Sequence, residues 1–244
     1  MTVAAGRPER QHALRPHNHQ HRDVSGGWLR PTVFGAMDGL VTNVSLIAGV
    51  GGGGLDRSRI ILTGLAGLVA GAFSMATGEF TSVTSQNELV RAEVDVERRQ
   101  LSAFPQEEKE ELAAAFVEKG IDPELARQVA EQVSRNPQEA LRLHAKEELG
   151  VDPEELPSPV VAAVSSFLSF AVGAVVPLLS YLSGSGSLYL ALAIAAGALL
   201  GLGAVVARLT AGRWWVGGLR QLAVGVVAAG VTYGVGRAIG TTVT

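Results

Sequence analysis

Cysteine is absent from the chain. That removes disulfide frameworks, zinc–thiolate sites, iron–sulfur clusters and thiol nucleophiles, and leaves any metal site to carboxylate, imidazole, thioether or carbonyl donors. Charge is also scarce: 18% of residues are charged against 47% hydrophobic, with 30 glycines in 244 residues. Together with a mean hydropathy of +0.26, this is too apolar for an ordinary water-soluble domain and points to a membrane protein. There is no phosphate-binding loop, no Gly-x-Ser-x-Gly elbow and no His-Glu-x-x-His, and Gly51–Gly54 lacks a following Lys-Ser/Thr. ATP-driven pumping and hydrolysis therefore have no support, so an enzyme is not expected, and a basic nucleic-acid surface is missing.

What is present is apolar runs. Five stretches are apolar over roughly the 17–25 residues a helix needs to cross a bilayer: Val33–Val50, Ile60–Phe80, Val160–Leu182, Leu188–Ala207 and about Leu219–Ile239. All are rich in Gly, Ala and Ser. Small residues let membrane helices approach closely, so Gly64-x-x-Gly67-x-x-x-Gly71 and Gly197-x-x-x-Gly201 are expected packing faces.

Charge is segregated as well as scarce. Residues 88–155 carry 18 Asp/Glu and 9 Lys/Arg, a net of −9, whereas the rest of the chain is net +6. Lys and Arg mark cytoplasmic loops. Arg7, Arg10, Arg15, Arg22 and Arg30 precede span 1, the Ser183–Ser187 loop has no basic residue, and Arg208, Arg213 and Arg220 surround the connection between spans 4 and 5. The tail, the acidic segment and that connection are expected in the cytoplasm, and Thr244 on the far side; Arg57 and Arg59 in the first loop are the exception. The first 25 residues are polar, so no cleavable signal peptide is expected and span 1 would direct insertion.

The acidic segment reads as helices. Gln86–Ser102 continues span 2. Pro105 opens a helix to about Lys119, which Gly120 ends; Asp122-Pro123 is an N-cap with Pro at the first helical position, leading to about Ser134; Pro137 opens a helix through His144 to Leu149, stopped by Gly150. The expected architecture is an all-α polytopic membrane protein: a polar cytoplasmic tail over 1–29, spans 1 and 2 over 30–85, an acidic cytoplasmic helical metal-binding domain over 86–155, and spans 3–5 over 156–244.

Two groups of residues carry candidate chemistry. Asp38, with Asn43 five residues on, lies in span 1, and an ionisable group in a membrane helix marks an ion or proton pathway by default; its alternative is an ion pair with Arg30. Met75 and Glu79 share a face near the end of span 2. One thioether and two carboxylates would suit a divalent transition metal that must also leave. In the acidic segment, Glu93 and Glu97, Glu108 and Glu111, and His144 and Glu148 pair at i,i+3 or i,i+4. Three such helices meeting could enclose one or two divalent ions, although each pair alone is more simply a solvated face. The tail cluster His17, His19 and His21 is a metal-scavenging candidate with no required role expected.

Phe34-Gly35-Ala36-Met37-Asp38-Gly39-Leu40-Val41-Thr42-Asn43, Ser74-Met75-Ala76-Thr77-Gly78-Glu79-Phe80, Glu147-Glu148-Leu149-Gly150 and Pro177-Leu178-Leu179-Ser180-Tyr181, in this order, resemble the vacuolar iron transporter family. The resemblance covers about Arg30 to Gly240. It implies a five-span protomer, a homodimer with its conduction path at the two-fold axis, and proton-coupled export of ferrous iron and similar ions. Asp38 and Met75 match the family's conduction-path aspartate and methionine, and Glu97, Glu108, Glu111 and Glu148 match glutamates of its metal-collecting domain. The chain departs where some members carry a glutamate near the start of span 1, a position held here by Gly27 or its neighbours. It departs again at Gln100, and at His144-Ala145, which stand where the family has paired methionines.

The function expected is proton-coupled export of divalent metal, Fe²⁺ with Mn²⁺ as a second candidate, across a bacterial inner membrane. The metal is the transported substrate, no organic cofactor is implied, and the partners are divalent ions, protons, the bilayer and a second copy of the chain. The competing expectation is a membrane-anchored metal-binding or iron-oxidising protein whose acidic helices carry the activity.

Overall fold

The computed structural model describes residues 27–243, and among them every regular element is a helix. The order is α1 (Leu29–Gly52), α2 (Arg57–Ala103), α3 (Pro105–Glu118), α4 (Pro123–Val133), α5 (Pro137–His144), a π-helical turn (Ala145–Leu149), α6 (Pro159–Leu182), α7 (Leu188–Leu209) and α8 (Trp214–Val243). Five of these helices are long and apolar enough to span a bilayer: α1, α2, α6, α7 and α8. They contain the five expected spans, four of them extended by at most a few residues at either end and α2 running 23 residues past Phe80. The tail residues Arg7 to Arg22 and the His17, His19 and His21 cluster lie outside the described residues.

The spans pack through missing side chains. A Cβ on Gly39 would overlap the carbonyl of Phe170, one on Gly173 the carbonyl of Ala36, and one on Gly35 the hydroxyl of Ser169. α1 and α6 therefore touch backbone to backbone, the close approach that small residues permit where hydrophobic burial gives no net gain between helices. Gly236 of α8 meets Gly49 of α1 in the same way, and Gly203 of α7 meets Gly217 of α8. The expected face of α2 is used: a side chain at Gly64, Gly67 or Gly71 would strike Leu178, Leu46 or Phe170. The expected face of α7 is not, because nothing lies within 4 Å of a Cβ on Gly197 or Gly201. That stripe points away from the protomer because Ala191, Ala195, Leu199 and Gly203 form the face of α7 that is buried.

Apolar residues fill the remaining seams. Leu40, Val44 and Ala48 of α1 meet Ala195 and Leu199 of α7 and Ala229 of α8, while Ile47, Ile60, Leu178, Tyr181 and Ala191 join α1, α2, α6 and α7. α1 is the most buried span and α8 the least. At the first loop, Arg57 Nε and Nη2 donate to the Tyr181 carbonyl at 3.0 and 2.7 Å. A guanidinium on the carbonyl end of α6 complements the helix dipole, which gives this basic residue a structural task on the side where few were expected.

α2 runs 47 residues without a break, about 70 Å at 1.5 Å per residue, far beyond the ~30 Å hydrocarbon core of a bilayer. Its charged second half is thus one rigid piece with a span. α3 to α5 then fold beside it around Leu112, Ala113, Ala126 and Ala130. The helix starts follow the expected signals: Pro105, Pro123 and Pro137 occupy first-turn positions, and the Asp122 and Asn136 side chains accept from backbone N–H groups of α4 and α5. Gly120 and Gly150, at φ +89° and +69°, end α3 and the π-turn in the left-handed region that favours glycine.

Candidate metal centre and membrane carboxylate

Glu97 of α2, Glu108 of α3, His144 of α5 and Glu148 of the π-turn each present one ligand atom, and these atoms lie within 4.8 Å of one another. Among the described residues this is the one group of three or more His, Asp or Glu that converges in this way. His144 sits at its centre, 1% exposed. Its Nδ1 is 3.2 Å from Glu97 Oε1, 3.4 Å from Glu148 Oε1 and 3.6 Å from Glu108 Oε2. Glu97 and Glu108 are buried and Glu148 is exposed, so the cluster opens to water on one side.

Burial sets the electrostatics. The Glu97 carboxyl is pushed up to about 7, first by desolvation and then by the negative charges of Glu148, Glu108 and Glu111. Glu108 is raised as well, again chiefly by desolvation, with the nearby His144 opposing the shift. Three carboxylates crowded round one imidazole, with the Glu97 Oε1 and His144 Nε2 atoms buried and lacking hydrogen-bond partners, are poorly satisfied by the protein alone. A divalent cation would satisfy the carboxylates, and three oxygens with one nitrogen suit first-row ions of the Mn²⁺ to Zn²⁺ range.

Of the six expected collecting-domain residues, the structure brings these four together. Glu93, one turn before Glu97, is exposed and outside the cluster; Glu111 is also exposed and is felt only through its charge. Sequence reasoning missed the props around the site. Arg142 Nε and Nη2 grip both oxygens of Asp152, a charge-assisted pairing that holds the Asp152 carboxyl below its usual range. Lys119 pairs with Glu147 in the π-turn, and Asn87 Nδ2 donates to the Pro157 carbonyl at 2.9 Å.

In the spans, Asp38 is partly buried and accepts from Thr42 Oγ1 at 3.2 Å. Among the described residues no ion pair joins it to Arg30. Met75 lies against Ala72, Phe170 and Ala174, and Glu79 is partly buried. Asn43 is fully buried and donates through Nδ2 to the Ala174 carbonyl of α6, one turn before Pro177, whose missing N–H interrupts that helix's own ladder. Gly27, which stands about where some relatives were expected to have a glutamate, has φ +66°, and a Cβ there would crowd Pro157. A side chain at this position would be strained.

The model of the VIT family matches residues 29–237, which takes in all five spans and the acidic helices between the second and third. The chain belongs to the VIT family. VIT family members are transporters and not enzymes, so the expected absence of an enzymatic role holds and the iron-oxidising alternative falls away. Among similar proteins, vacuolar iron transporter 1 of Oryza sativa is 27% identical over 98% of both chains. Vacuolar iron transporter homolog 1 of the same species is 36% identical over 87% of this chain and 74% of its own length. Vacuolar iron transporter homolog 3 of Arabidopsis thaliana is 34% identical over 87% and 84%. Membership makes this VIT protein a membrane transporter of metal ions.

Proposed function

We propose that the chain exports divalent metal from the cytoplasm in exchange for protons, with Fe²⁺ as cargo and Mn²⁺ as a second substrate, and that it works as a homodimer in a bacterial inner membrane. The observation that carries this is the continuity of α2. One uninterrupted helix bears Met75 and Glu79 in its apolar half and Glu97 of the four-ligand cluster in its charged half. The 18 helical steps from Glu79 to Glu97 correspond to about 27 Å. A cytoplasmic site that gathers ions is thereby tied rigidly to the membrane carboxylates that would pass them on.

In this mechanism the −9 segment raises the local concentration of dications at the entrance. Glu97, Glu108, His144 and Glu148 hold an ion weakly enough to release it, and Glu93 and Glu111 extend the negative surface around them. Asp38 from both protomers replaces water around the ion, Met75 adds a polarizable donor, and Asn43 braces α1 on α6 behind them. One Asp and one Met make a poor site and two of each a plausible one, which is the reason for the dimer. Protonation of Asp38 or Glu79 then releases the ion on the far side.

The test is Fe²⁺ flux into liposomes holding purified protein under an imposed proton gradient. Asp38→Ala should abolish flux. Combined Glu97→Ala, Glu108→Ala, His144→Ala and Glu148→Ala should weaken it only at low metal. If wild-type protein binds Fe²⁺ through the glutamates but moves none under any gradient, the spans are an anchor and the chain is a metal-binding protein.

A further inference from the structure

The α3–α5 bundle is joined to α2 by very little besides the metal-ligand cluster. Its core of Leu112, Ala113, Ala126 and Ala130, with Phe116, Ile121, Val133 and Leu143 packed on it, draws no residue from α2. Beyond Asn87, α2 buries two residues, Val94 and Glu97, one of them a carboxylate. Beside the cluster the seam is hollow: a cavity of about 540 Å³ is lined by Arg98, Leu101 and Ser102 of α2, Lys109 of α3 and Gln138 and Leu141 of α5. Close packing is what fixes one element on another, and here it is largely missing.

The two connections that carry the bundle are short. Between α2 and α3 stands one non-helical residue, Phe104, with φ −131° and ψ 54° and its side chain half exposed. On the return, Asp152 is held to the bundle by Arg142, whereas Pro157 is held to α2 by Asn87. Glu154 is held by Arg142 as well, and the Glu155 N–H donates to the Asp152 carbonyl at 3.0 Å, so Leu156 is left as the second joint. Between these connections the ligand cluster crosses the seam, with Glu97 on one side and Glu108, His144 and Glu148 on the other.

We propose that the bound divalent ion is the clasp of this domain, so that metal occupancy sets whether the α3–α5 bundle is docked on α2 or swings about Phe104 and Leu156. This rests on the assignment of the four residues as a metal site. Glu97 supplies a second observation for it: nine-tenths buried, it aims Oε1 at His144 Nδ1 without a hydrogen-bond partner. Without a cation, the carboxylates on the two sides of the seam repel and little apolar contact opposes them. With one, the same atoms become shared ligands. A site that collects ions would then also report its own loading to the helix that enters the membrane.

The absence of native cysteine allows a direct test in the full chain. Leu89→Cys on α2 and Leu125→Cys on α4 replace exposed side chains and can carry a donor–acceptor dye pair, with labelled protein diluted into unlabelled protein in nanodiscs so that transfer is within one protomer. Binding of Mn²⁺ is followed on the same sample by calorimetry. The expected result is a broad spread of transfer efficiencies in chelator that narrows to one population as Mn²⁺ binds. In Glu97→Gln/Glu108→Gln, which removes two charges at nearly constant size, Mn²⁺ should bind at least ten-fold more weakly and the spread should no longer respond to it. Mn²⁺ binding with an unchanged distribution in wild type would overturn the clasp and leave the metal site standing. No binding heat at all would overturn the site itself, and the clasp with it.

Discussion

Glu97 is the residue on which most of the chemistry turns. Its folded value of about 7 lies above the ordinary 4.5, so the metal-free native state takes up a proton that the unfolded chain has already lost. Stability contributed by protonated Glu97 is therefore present at low pH and is lost as pH rises from about 4.5 through about 7. Thermal denaturation of metal-free protein should show a midpoint that falls across this window, and Glu97→Gln should flatten the fall. Binding of a cation needs the deprotonated carboxylate, so metal affinity should change in the opposite sense, rising with pH up to about 7 and levelling above it, with about one proton released per ion at lower pH. Calorimetry in buffers of different ionisation enthalpy measures both. His144→Ala removes the nitrogen donor, and metal affinity should drop at least ten-fold, about 1.4 kcal/mol.

At the scale of elements, the glycine seams decide which changes the membrane region tolerates. Gly39→Leu or Gly173→Leu would drive a side chain into the opposing backbone carbonyl, and overpacking of this kind costs about 1–3 kcal/mol or more. Such variants should lose the monodisperse peak in detergent chromatography. Gly197→Ala and Gly201→Ala have open space around them and should leave protomer stability unchanged or raise it by about 0.5 kcal/mol, the usual gain from replacing glycine within a helix. The contrast was only half legible beforehand. Spacing identifies small-residue faces, but it does not say which one meets a neighbour, and the Gly35–Gly39 pair that meets α6 was read as part of a motif. Long apolar runs and first-turn prolines, by contrast, announced nearly every helix, because length and missing N–H groups act locally. The π-turn at Ala145–Leu149 carries no such local mark; it accompanies the packing of Lys119 on Glu147 and of Glu148 beside His144. Helical spacing also placed Glu93 with Glu97 and Glu111 with Glu108, but only one carboxylate of each pair turns inward to the cluster, and Glu93 and Glu111 stay exposed.

For the whole molecule, the proposed function divides gathering of ions, by the acidic segment, from conduction, by the spans. Replacing 104–155 by a short polar linker should leave Fe²⁺ flux measurable at high metal and raise the half-saturating concentration several-fold. Raising ionic strength should weaken wild-type uptake at low metal more than uptake by the shortened chain, because a −9 surface attracts dications through a field that salt screens. Equal salt dependence in the two proteins would mean that the acidic segment does not feed the membrane path.

A helix that crosses from lipid into water without interruption also imposes a phase. Every residue inserted between Glu79 and Glu97 turns the outer end of α2 by about 100° relative to the spans. One extra residue near Ser85 would turn Glu97, and with it the bundle that follows through Phe104, away from its bearing on α6, straining the short return to that helix and pulling Asn87 off the Pro157 carbonyl, whereas seven, nearly two full turns, would restore the bearing to within about 20° while lifting the site about 10 Å. A ladder of insertions from one to seven residues should therefore give metal affinities that oscillate with the helical repeat instead of declining with length. The stalk would then behave as a splined shaft, indifferent to how far it extends and intolerant of how far it is turned.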